Sequence, residues 1–86
     1  MDFHKHKLNL TYPCVWDYRL IGRNEAGVRQ AVAQILGHLE HQVSLSSTRR
    51  TGKYCSLTVE LTVHSEQQRT DLYQAFKGHR DITMVL

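Results

Sequence analysis

One run of residues shows the clearest hydrophobic pattern in the chain. From Tyr54 to Val63, polar and apolar side chains alternate without a break. Because a β-strand points successive side chains to opposite faces, this run has one apolar face and one polar face. It is also rich in β-branched residues, which favour strands. The pattern predicts a strand whose apolar face packs against the core.

A second alternating run lies near the N-terminus, between Tyr12 and Gly22. Its apolar phase consists of Cys14, Trp16, Tyr18 and Leu20. Pro13 is acceptable at the first residue of a strand but not in its interior, and Gly22 ends the pattern. We predict a strand over this run, with its aromatic side chains in the core.

Helical spacing follows directly after this strand. Asn24 is a suitable N-cap, and Glu25 lies in the first turn, where a negative charge is favourable. Apolar residues then recur at helical spacing as far as Leu39. This spacing predicts a first helix over residues 25–39, with one apolar face turned inward.

The second helix begins with a capping signal. Ser65 and Gln68 have the spacing of a capping box. The apolar face predicted for this helix consists of Leu72, Tyr73, Ala75 and Phe76. Arg69 is predicted to point outward, and Gly78 is predicted to end the helix.

Two weaker strands complete the pattern. Residues 42–47 alternate Val43 and Leu45 with polar residues, which is typical of an edge strand. Residues 48–53 contain Gly52 and predict the turn of a hairpin that leads into the alternating run described first. Residues 82–86 predict a final strand.

The order strand, helix, strand, strand, helix, strand is that of the ferredoxin-like βαββαβ sandwich, an α+β fold. In this fold a four-stranded antiparallel sheet carries two helices on one face, and the first and third strands are central. The two most strongly alternating runs take those central places, so the pattern and the topology agree. The residues predicted on the open face are Asp17, Arg19, Ser44, Ser46, Tyr54, Ser56, Thr58, Glu60, Thr62, Thr83 and Val85.

Four stretches carry a family resemblance. They are Tyr12-Pro13, residues 18–22, residues 52–59 and the terminal residues 81–86. In their order and spacing the chain resembles the YbeD-like family of small bacterial proteins of unknown function. The resemblance implies a ferredoxin-like fold similar to ACT-type regulatory domains, which bind small molecules and often amino acids. It implies no established activity and no catalytic residues. ACT domains usually have Pro-Gly after the first strand, whereas this chain has Gly22-Arg23-Asn24-Glu25, so amino-acid binding in the ACT manner is not expected.

The composition is that of one folded domain. The chain has 86 residues, of which 41% are hydrophobic and 22% charged, and this suits a single globular domain with a modest core. Residues 1–9 are polar and basic and show neither a helical nor a strand periodicity. We therefore predict that they form a flexible tail and that the domain spans residues 10–86. The chain lacks an apolar run of membrane-spanning length and an apolar signal segment, so we predict a cytoplasmic protein without membrane contact.

The two cysteines, Cys14 and Cys55, both fall on the apolar phase of a predicted strand. We therefore predict buried free thiols, which fit a reducing compartment. Each cysteine lies near the start of its strand, and the two strands are antiparallel, so the cysteines lie at opposite ends. A disulfide requires Cα atoms within about 7 Å, and the predicted topology excludes one.

One end of the predicted fold collects positive charge. The net charge is +3, a mild bias toward anionic partners. The predicted anion site consists of Gly22, Arg23, Asn24, Arg49, Arg50, Lys53 and Arg80. Free amides at a helix N-terminus and several cations together favour a bound anion, and Glu25 and Asp81 cancel part of the charge. The alternative is ordinary solvated loop charge, which is the commoner outcome.

The opposite end collects His38, His41 and His64. Imidazoles bind zinc, nickel or copper, but this spacing matches no metal signature. We expect exposed, unliganded histidines, no metal and no cofactor. The sequence also lacks an evident nucleophile and base, a phosphate loop and a Cys/His zinc motif, so we expect no catalytic activity.

Two functions follow from this pattern. The first is a regulatory or adaptor domain that contacts a partner protein or a second copy of itself, or binds a small anion. Its predicted partner surface consists of Asp17, Arg19, Tyr54, Ser56, Thr58 and Glu60. The alternative is binding of RNA or single-stranded nucleic acid, because ferredoxin-like sheets also serve as RNA platforms. That mode needs exposed aromatic residues on the central strands, and only Tyr54 is predicted there, so we rank it second.

Overall fold

The structure is a computed structural model, and it describes residues 10–48 and 54–86. Its elements are β1 (Cys14–Gly22), α1 (Glu25–Leu36), β2 (His41–Thr48), β3 (Cys55–Val63), α2 (Glu66–Lys77) and β4 (Met84–Val85). The strands form one antiparallel sheet in the order β2-β3-β1-β4. The predicted ferredoxin-like fold, with β1 and β3 in the centre, is confirmed.

Two predicted features lie outside the described residues. These are the tail over residues 1–9 and the hairpin turn, which includes Arg49, Arg50, Gly52 and Lys53. Both stay predictions.

The core lies between one face of the sheet and the two helices. All five apolar residues of the β3 pattern are buried, as predicted, and the polar residues between them are not. The other main contributors are Tyr18, Leu20, Val28, Ala31, Val32, Leu36, Leu72, Phe76 and Ile82. The inward-facing side chains of the sheet come mainly from β1 and β3, so each helix packs across these two central strands. No described helix covers the second face of the sheet, which we call the open face.

The pairing of β1 with β3 separates the cysteines. Cys14 lies opposite Val63 at one end of the pair, and Cys55 lies opposite Gly22 at the other. Both are free thiols, and Cys55 is buried as predicted. The predicted burial of Cys14 was wrong: it is half-buried, because it is the first residue of β1, at the end of the sheet. The predicted absence of a disulfide between them is confirmed.

Helix α1 begins as predicted and ends earlier than predicted. The Asn24 side chain accepts a hydrogen bond from the Gly27 backbone N–H at 3.2 Å. The helix ends at Leu36 because Gly37 has φ 55°, a left-handed conformation that terminates helices and favours glycine. The predicted end at Leu39 was therefore wrong, and the Leu39 side chain is exposed.

Helix α2 has the predicted cap with one difference. The Ser65 hydroxyl accepts from the Gln68 N–H at 3.0 Å, and the Gln68 side chain accepts from the N–H of His64, one residue before the cap, at 2.7 Å. Ala75 is exposed, contrary to the prediction, because α2 buries a narrow stripe of Leu72 and Phe76. No helix within the described ranges is long and apolar enough to cross a membrane.

Strand β4 differs from the prediction in which of its residues face the core. Its pairing sets Val85 opposite the inward-facing Leu20 and Met84 opposite Ile21. Val85, predicted on the open face, therefore packs against the core. Ile82 is also buried, because the chain bends at Thr83 and interrupts the alternation between Ile82 and β4. The open face thus receives Met84 instead of Val85.

Strand β2 carries an irregularity that the sequence pattern did not predict. Ser44 lies opposite Thr58 on the open face, as predicted, and Leu45 lies opposite Leu57. The register then shifts between Leu45 and Ser47, so that Ser47 pairs with Ser56. This is a β-bulge, which is common at sheet edges. The placement of the Ser46 side chain on the open face lies outside what the structure describes.

Candidate functional site

The open sheet face contains a cleft beside β4 and the start of β3. Its volume is about 450 Å³, within the range of roughly 300–1,000 Å³ that is typical of small-molecule sites. The lining is mostly apolar and consists of Arg19, Ile21, Tyr54, Cys55, Ser56, Thr83, Met84 and Leu86. The cleft is therefore a candidate site on size and chemistry.

The short pairing of β4 with β1 builds one wall of this cleft. The Leu86 N–H donates to the Arg19 carbonyl at 2.8 Å, and the Arg19 N–H donates to the Leu86 carbonyl at 3.2 Å. Before β4, the Thr83 N–H donates to the Ile21 carbonyl at 2.7 Å. These bonds hold Met84 and Leu86 beside Ile21, with 50% of the Met84 surface and 63% of the Leu86 surface exposed.

Two polar side chains of the lining are left unpaired among residues 10–48 and 54–86: Arg19 has no ion-pair partner, and Ser56 has no hydrogen-bond partner. Arg19 is exposed and forms no ion pair with any described residue. The Ser56 Oγ is buried and has no hydrogen-bond partner in the described part of the chain. A buried hydroxyl without a partner costs about 1–3 kcal/mol. The Arg19 guanidinium is therefore available to a polar atom of a ligand, whereas the Ser56 hydroxyl has unused hydrogen-bonding capacity below the cleft surface.

Tyr54 closes the other side of the cleft and is held by a cation. The Arg23 guanidinium lies 5.9 Å from the centre of the Tyr54 ring, within the range of a cation–π interaction. Arg23 was predicted as part of an anion site, and the structure places it behind the aromatic wall of the cleft.

The middle of the open face is acidic. Asp17 on β1 lies directly opposite Glu60 on β3. We call Asp17 and Glu60 the acidic pair. Both line a hollow of about 330 Å³, together with Val15 and Trp16. Like charges at facing positions of a ladder repel. The acidic pair therefore favours a cationic group above it.

Two other residues of the predicted anion site, Gly22 and Asn24, are already engaged. The Asn24 side chain caps α1. Gly22 packs so closely that a Cβ there would lie 2.5 Å from the Asp81 carbonyl oxygen. The Asp81 carboxylate lies beside Gly27 in the first turn of α1. Arg80 is exposed, and Arg49, Arg50 and Lys53 lie outside the described residues. Anion binding at this end stays a prediction.

The structure places the predicted partner-surface residues together on the open face. Asp17, Arg19, Tyr54 and Glu60 are exposed, and Ser56 and Thr58 are half-buried. Sequence reasoning missed the apolar part of this surface, formed by Ile21, Met84 and Leu86. The signal for Ile21 was available, because it shares the phase of Arg19. For Met84 and Leu86 the phase depends on the bend at Thr83, which the pattern does not encode.

Cys55 belongs to the residues that line the cleft, but its side chain is on the buried phase of β3 and packs in the core. Burial raises the pKa of the Cys55 thiol above its usual value, and the nearby Glu25 raises it further, while Arg29 lowers it. A raised pKa keeps the thiol protonated at neutral pH, and the protonated form is a poor nucleophile. The raised pKa therefore disfavours Cys55 as a nucleophile.

On the helix-covered face of the sheet, a cluster of Arg69 and aromatic side chains joins α2 to β1. The Arg69 guanidinium lies 5.0 Å from the Trp16 ring centre, and its Nε donates to the Tyr12 hydroxyl at 3.1 Å. The Tyr18 hydroxyl donates to the Arg69 carbonyl at 2.6 Å. Arg69 is half-buried, so its predicted outward orientation was wrong. The aromatic rings attract the Arg69 guanidinium, and its aliphatic carbons can pack against apolar surface.

The histidines form no metal centre in the described ranges. Residues 10–48 and 54–86 contain no group of three or more His, Cys, Asp or Glu side chains placed to hold a metal ion. His41 contacts the Leu39 carbonyl through its Nδ1 at 2.7 Å. His79 Nε2 lies 2.8 Å from the Gln34 side-chain oxygen and so connects the end of α2 to α1.

Comparison with known proteins shows relatives along nearly the whole chain. A UPF0250 protein of Nitrosomonas europaea is 30% identical over 81 residues, which cover 90% of this chain and 93% of the relative. An uncharacterized protein of Campylobacter jejuni is 29% identical over 74 residues, covering 86% and 85%. The solution structure of protein HP0495 from Helicobacter pylori superposes with a TM-score of 0.80 at 22% identity, covering 100% of this chain and 94% of the other.

The same comparison identifies the family. Residues 7–86 match the family model described as "Protein of unknown function (DUF493)". The likeness to the Helicobacter protein supports the fold alone, since its identity is low. The resemblance drawn from the four sequence stretches is confirmed. The chain belongs to the DUF493 family, also called the UPF0250 or YbeD-like family.

Proposed function

We propose that this protein is a non-catalytic domain of the regulatory or adaptor type and that it binds a partner protein on its open sheet face. The observation that carries the proposal is the apolar surface exposed on that face. Val15 is 61% exposed at one end, and Met84 and Leu86 are 50% and 63% exposed at the other. Exposed apolar patches rimmed by polar residues are typical of protein-contact surfaces.

The acidic pair indicates the chemistry of the partner. Asp17 and Glu60 face each other on the two central strands, where facing like charges destabilise the fold. Proteins retain such local costs mainly at functional sites. A lysine or arginine of a partner placed over the acidic pair relieves the repulsion. We therefore expect a partner segment that carries a cation beside apolar side chains.

The non-catalytic part of the proposal is supported by the character of the reactive groups. The Cys55 thiol has a raised pKa, and a catalytic thiol needs a lowered one. The two free thiols also fit a protein that works in the reducing cytoplasm.

Nucleic-acid binding is the less favoured function. The acidic pair lies in the middle of the face that would receive the phosphates, and it repels them. Tyr54 is the aromatic residue that this face exposes within the described ranges, and it is 36% exposed. Salt-sensitive binding of single-stranded RNA at micromolar concentration would reverse this ranking.

The test is capture of a partner by the protein and by two matched double variants. The variant Asp17→Asn/Glu60→Gln removes the acidic pair. The control Glu66→Gln/Asp71→Asn removes the same charge from α2, on the helix side. The partner captured by the wild-type protein is identified, purified and titrated against all three proteins. We expect the control to retain wild-type affinity and the acidic-pair variant to lose at least about fivefold.

Two results would contradict the proposal. Equal affinity of both double variants would place the contact elsewhere on the molecule. A wild-type protein that assembles with itself through this face, shown by sedimentation and lost in the acidic-pair variant, would replace the partner protein with a second copy of the chain.

A further inference from the structure

The cleft beside β4 differs in charge from the rest of the open face. Arg19 is the one ionised side chain among the described residues of its lining, which includes no Asp or Glu side chain. Arg23 adds a second positive charge behind Tyr54. We propose that this cleft binds a small carboxylic acid with an apolar body and that Arg19 holds the carboxylate.

The positions of Arg19 and the apolar walls fit such a ligand. Arg19 lies in the centre of the sheet, opposite Thr58, and Ile21 follows on the same face, opposite Ser56. Met84 and Leu86 extend the apolar wall along the sheet edge, and Tyr54 forms the other side. A ligand with its carboxylate at Arg19 therefore has its apolar body over Ile21 and against Met84.

Arg19 is free to bind a carboxylate. It forms no ion pair with any residue that the structure describes. A guanidinium matches a carboxylate with two parallel hydrogen bonds, which gives geometry as well as strength. Asp17 lies two residues away on the same face and competes electrostatically for Arg19, so its removal strengthens the attraction of Arg19 for an added anion.

The Ser56 hydroxyl is an independent observation. Its Oγ is buried, lacks a hydrogen-bond partner in the described ranges, and belongs to a residue of the cleft lining. A buried polar atom without a partner requires an explanation, and one explanation is an absent ligand. If the Ser56 side chain turns toward the cleft, its hydroxyl can donate a hydrogen bond to a carbonyl or carboxylate oxygen of the ligand.

The size of the cleft favours a free small molecule. A volume of about 450 Å³ is that of a small-molecule site, with a mostly apolar lining and a few polar groups that orient the ligand. The cleft lies at the β1–β4 edge, and the acidic pair lies farther along the sheet. The cleft shares Met84 and Leu86 with the surface proposed above to contact a partner. The ligand titration needs no partner, so the two experiments can fail independently.

The test uses 4-phenylbutyrate and its neutral amide, 4-phenylbutanamide, as probes. Both are titrated into the isotopically labelled protein while amide chemical shifts are recorded. We expect the acid to shift Ile21, Ser56, Thr83 and Met84, and the amide to bind the same residues at least about fivefold more weakly. Equal affinity of acid and amide, or shifts centred outside the cleft, would overturn the proposal.

Two variants with opposite expected signs test the role of Arg19. Arg19→Gln is expected to weaken the acid to the level of the amide and to leave the amide unchanged. Asp17→Asn is expected to tighten the acid by about twofold or more, because it removes the competing carboxylate. The spectrum of each unliganded variant reports its fold. Wild-type affinity for the acid in a folded Arg19→Gln would show that Arg19 does not hold the carboxylate.

Discussion

At the scale of single residues, Tyr18 both packs in the core and donates a hydrogen bond. Its ring lies in the core, 2% exposed and 5.4 Å from the Phe76 ring, while its hydroxyl donates to the Arg69 carbonyl. Burial raises the pKa of Tyr18 to about 12, against a smaller lowering by Arg69. The neutral phenol is thus the form that the folded protein holds.

This raised pKa predicts a loss of stability in alkali. Above pH 10 the unfolded chain ionises Tyr18 while the folded protein still keeps the proton, so stability falls from about pH 10 and levels off near pH 12. Between pH 8 and 11.5 the wild type should lose about 1–2 kcal/mol more than Tyr18→Phe, after allowance for solvent screening. Urea unfolding of both proteins measures this difference. Identical pH dependence would show that Tyr18 is not the group responsible.

The acidic pair gives a second prediction at the residue scale. Asp17→Asn should stabilise the folded protein by about 0.5 kcal/mol, because it removes the repulsion across the ladder. The control is Glu40→Gln, which removes one charge from an exposed residue between α1 and β2 and should change little. Thermal or urea unfolding measures both, and added salt should shrink the gain. A destabilised Asp17→Asn would mean that Asp17 is favourably paired in solution.

At the scale of elements, the junction of β1 with α1 is fixed by one close approach. A Cβ on Gly22 would lie 2.5 Å from the Asp81 carbonyl oxygen and 2.5 Å from a methyl group of Val28. The segment before β4 therefore packs directly on the end of β1. This contact helps to position Thr83 and β4, and with them the cleft.

Substitution of Gly22, the last residue of β1, and of Gly78, which follows α2, tests this contact. Gly22→Ala should destabilise the protein by about 2 kcal/mol, since neither the backbone of Asp81 nor buried Val28 yields easily. Gly78→Ala is the control: Gly78 has φ −86°, and an added Cβ meets its nearest atom at 3.4 Å. We expect the control to stay within about 0.5 kcal/mol of wild type or to gain stability. Equal effects of both substitutions in urea unfolding would contradict the proposed packing.

At the scale of the whole molecule, the sheet separates two thiols with different access to solvent. Cys14 is half-buried at one end of the β1–β3 pair, and Cys55 is buried at the other with a raised pKa. A thiol reagent should therefore reach Cys55 mainly through opening of the fold.

This difference is measured with single-cysteine proteins. The thiol left in Cys14→Ser should react at least about tenfold more slowly than the thiol left in Cys55→Ser, and denaturant should remove the difference. Reaction at equal rates under native conditions would show that the Cys55 end of the sheet opens readily.

Much of this architecture could be predicted from the chain. The unbroken alternation of β3, the caps Asn24 and Ser65, and the order of elements were enough for the fold and for the position of β1 and β3. Propensity alone did not predict the end of α1, because a left-handed glycine stops a helix that the apolar spacing would continue. Nor did it predict the orientation of Arg69, which depends on aromatic residues more than fifty positions away in sequence.

By itself the sequence determined which residues face the core on the central strands, because strand alternation is a local property with a fixed period. It also determined that Asp17, Arg19 and Glu60 share the open face. Only the tertiary structure decided that this face holds an apolar cleft. That cleft depends on the bend at Thr83 and on the pairing of Met84 with Ile21. These two residues are neighbours in the sheet but far apart in the sequence. Local patterns do not encode such long-range pairing, so the site most open to experiment was visible only in the folded molecule.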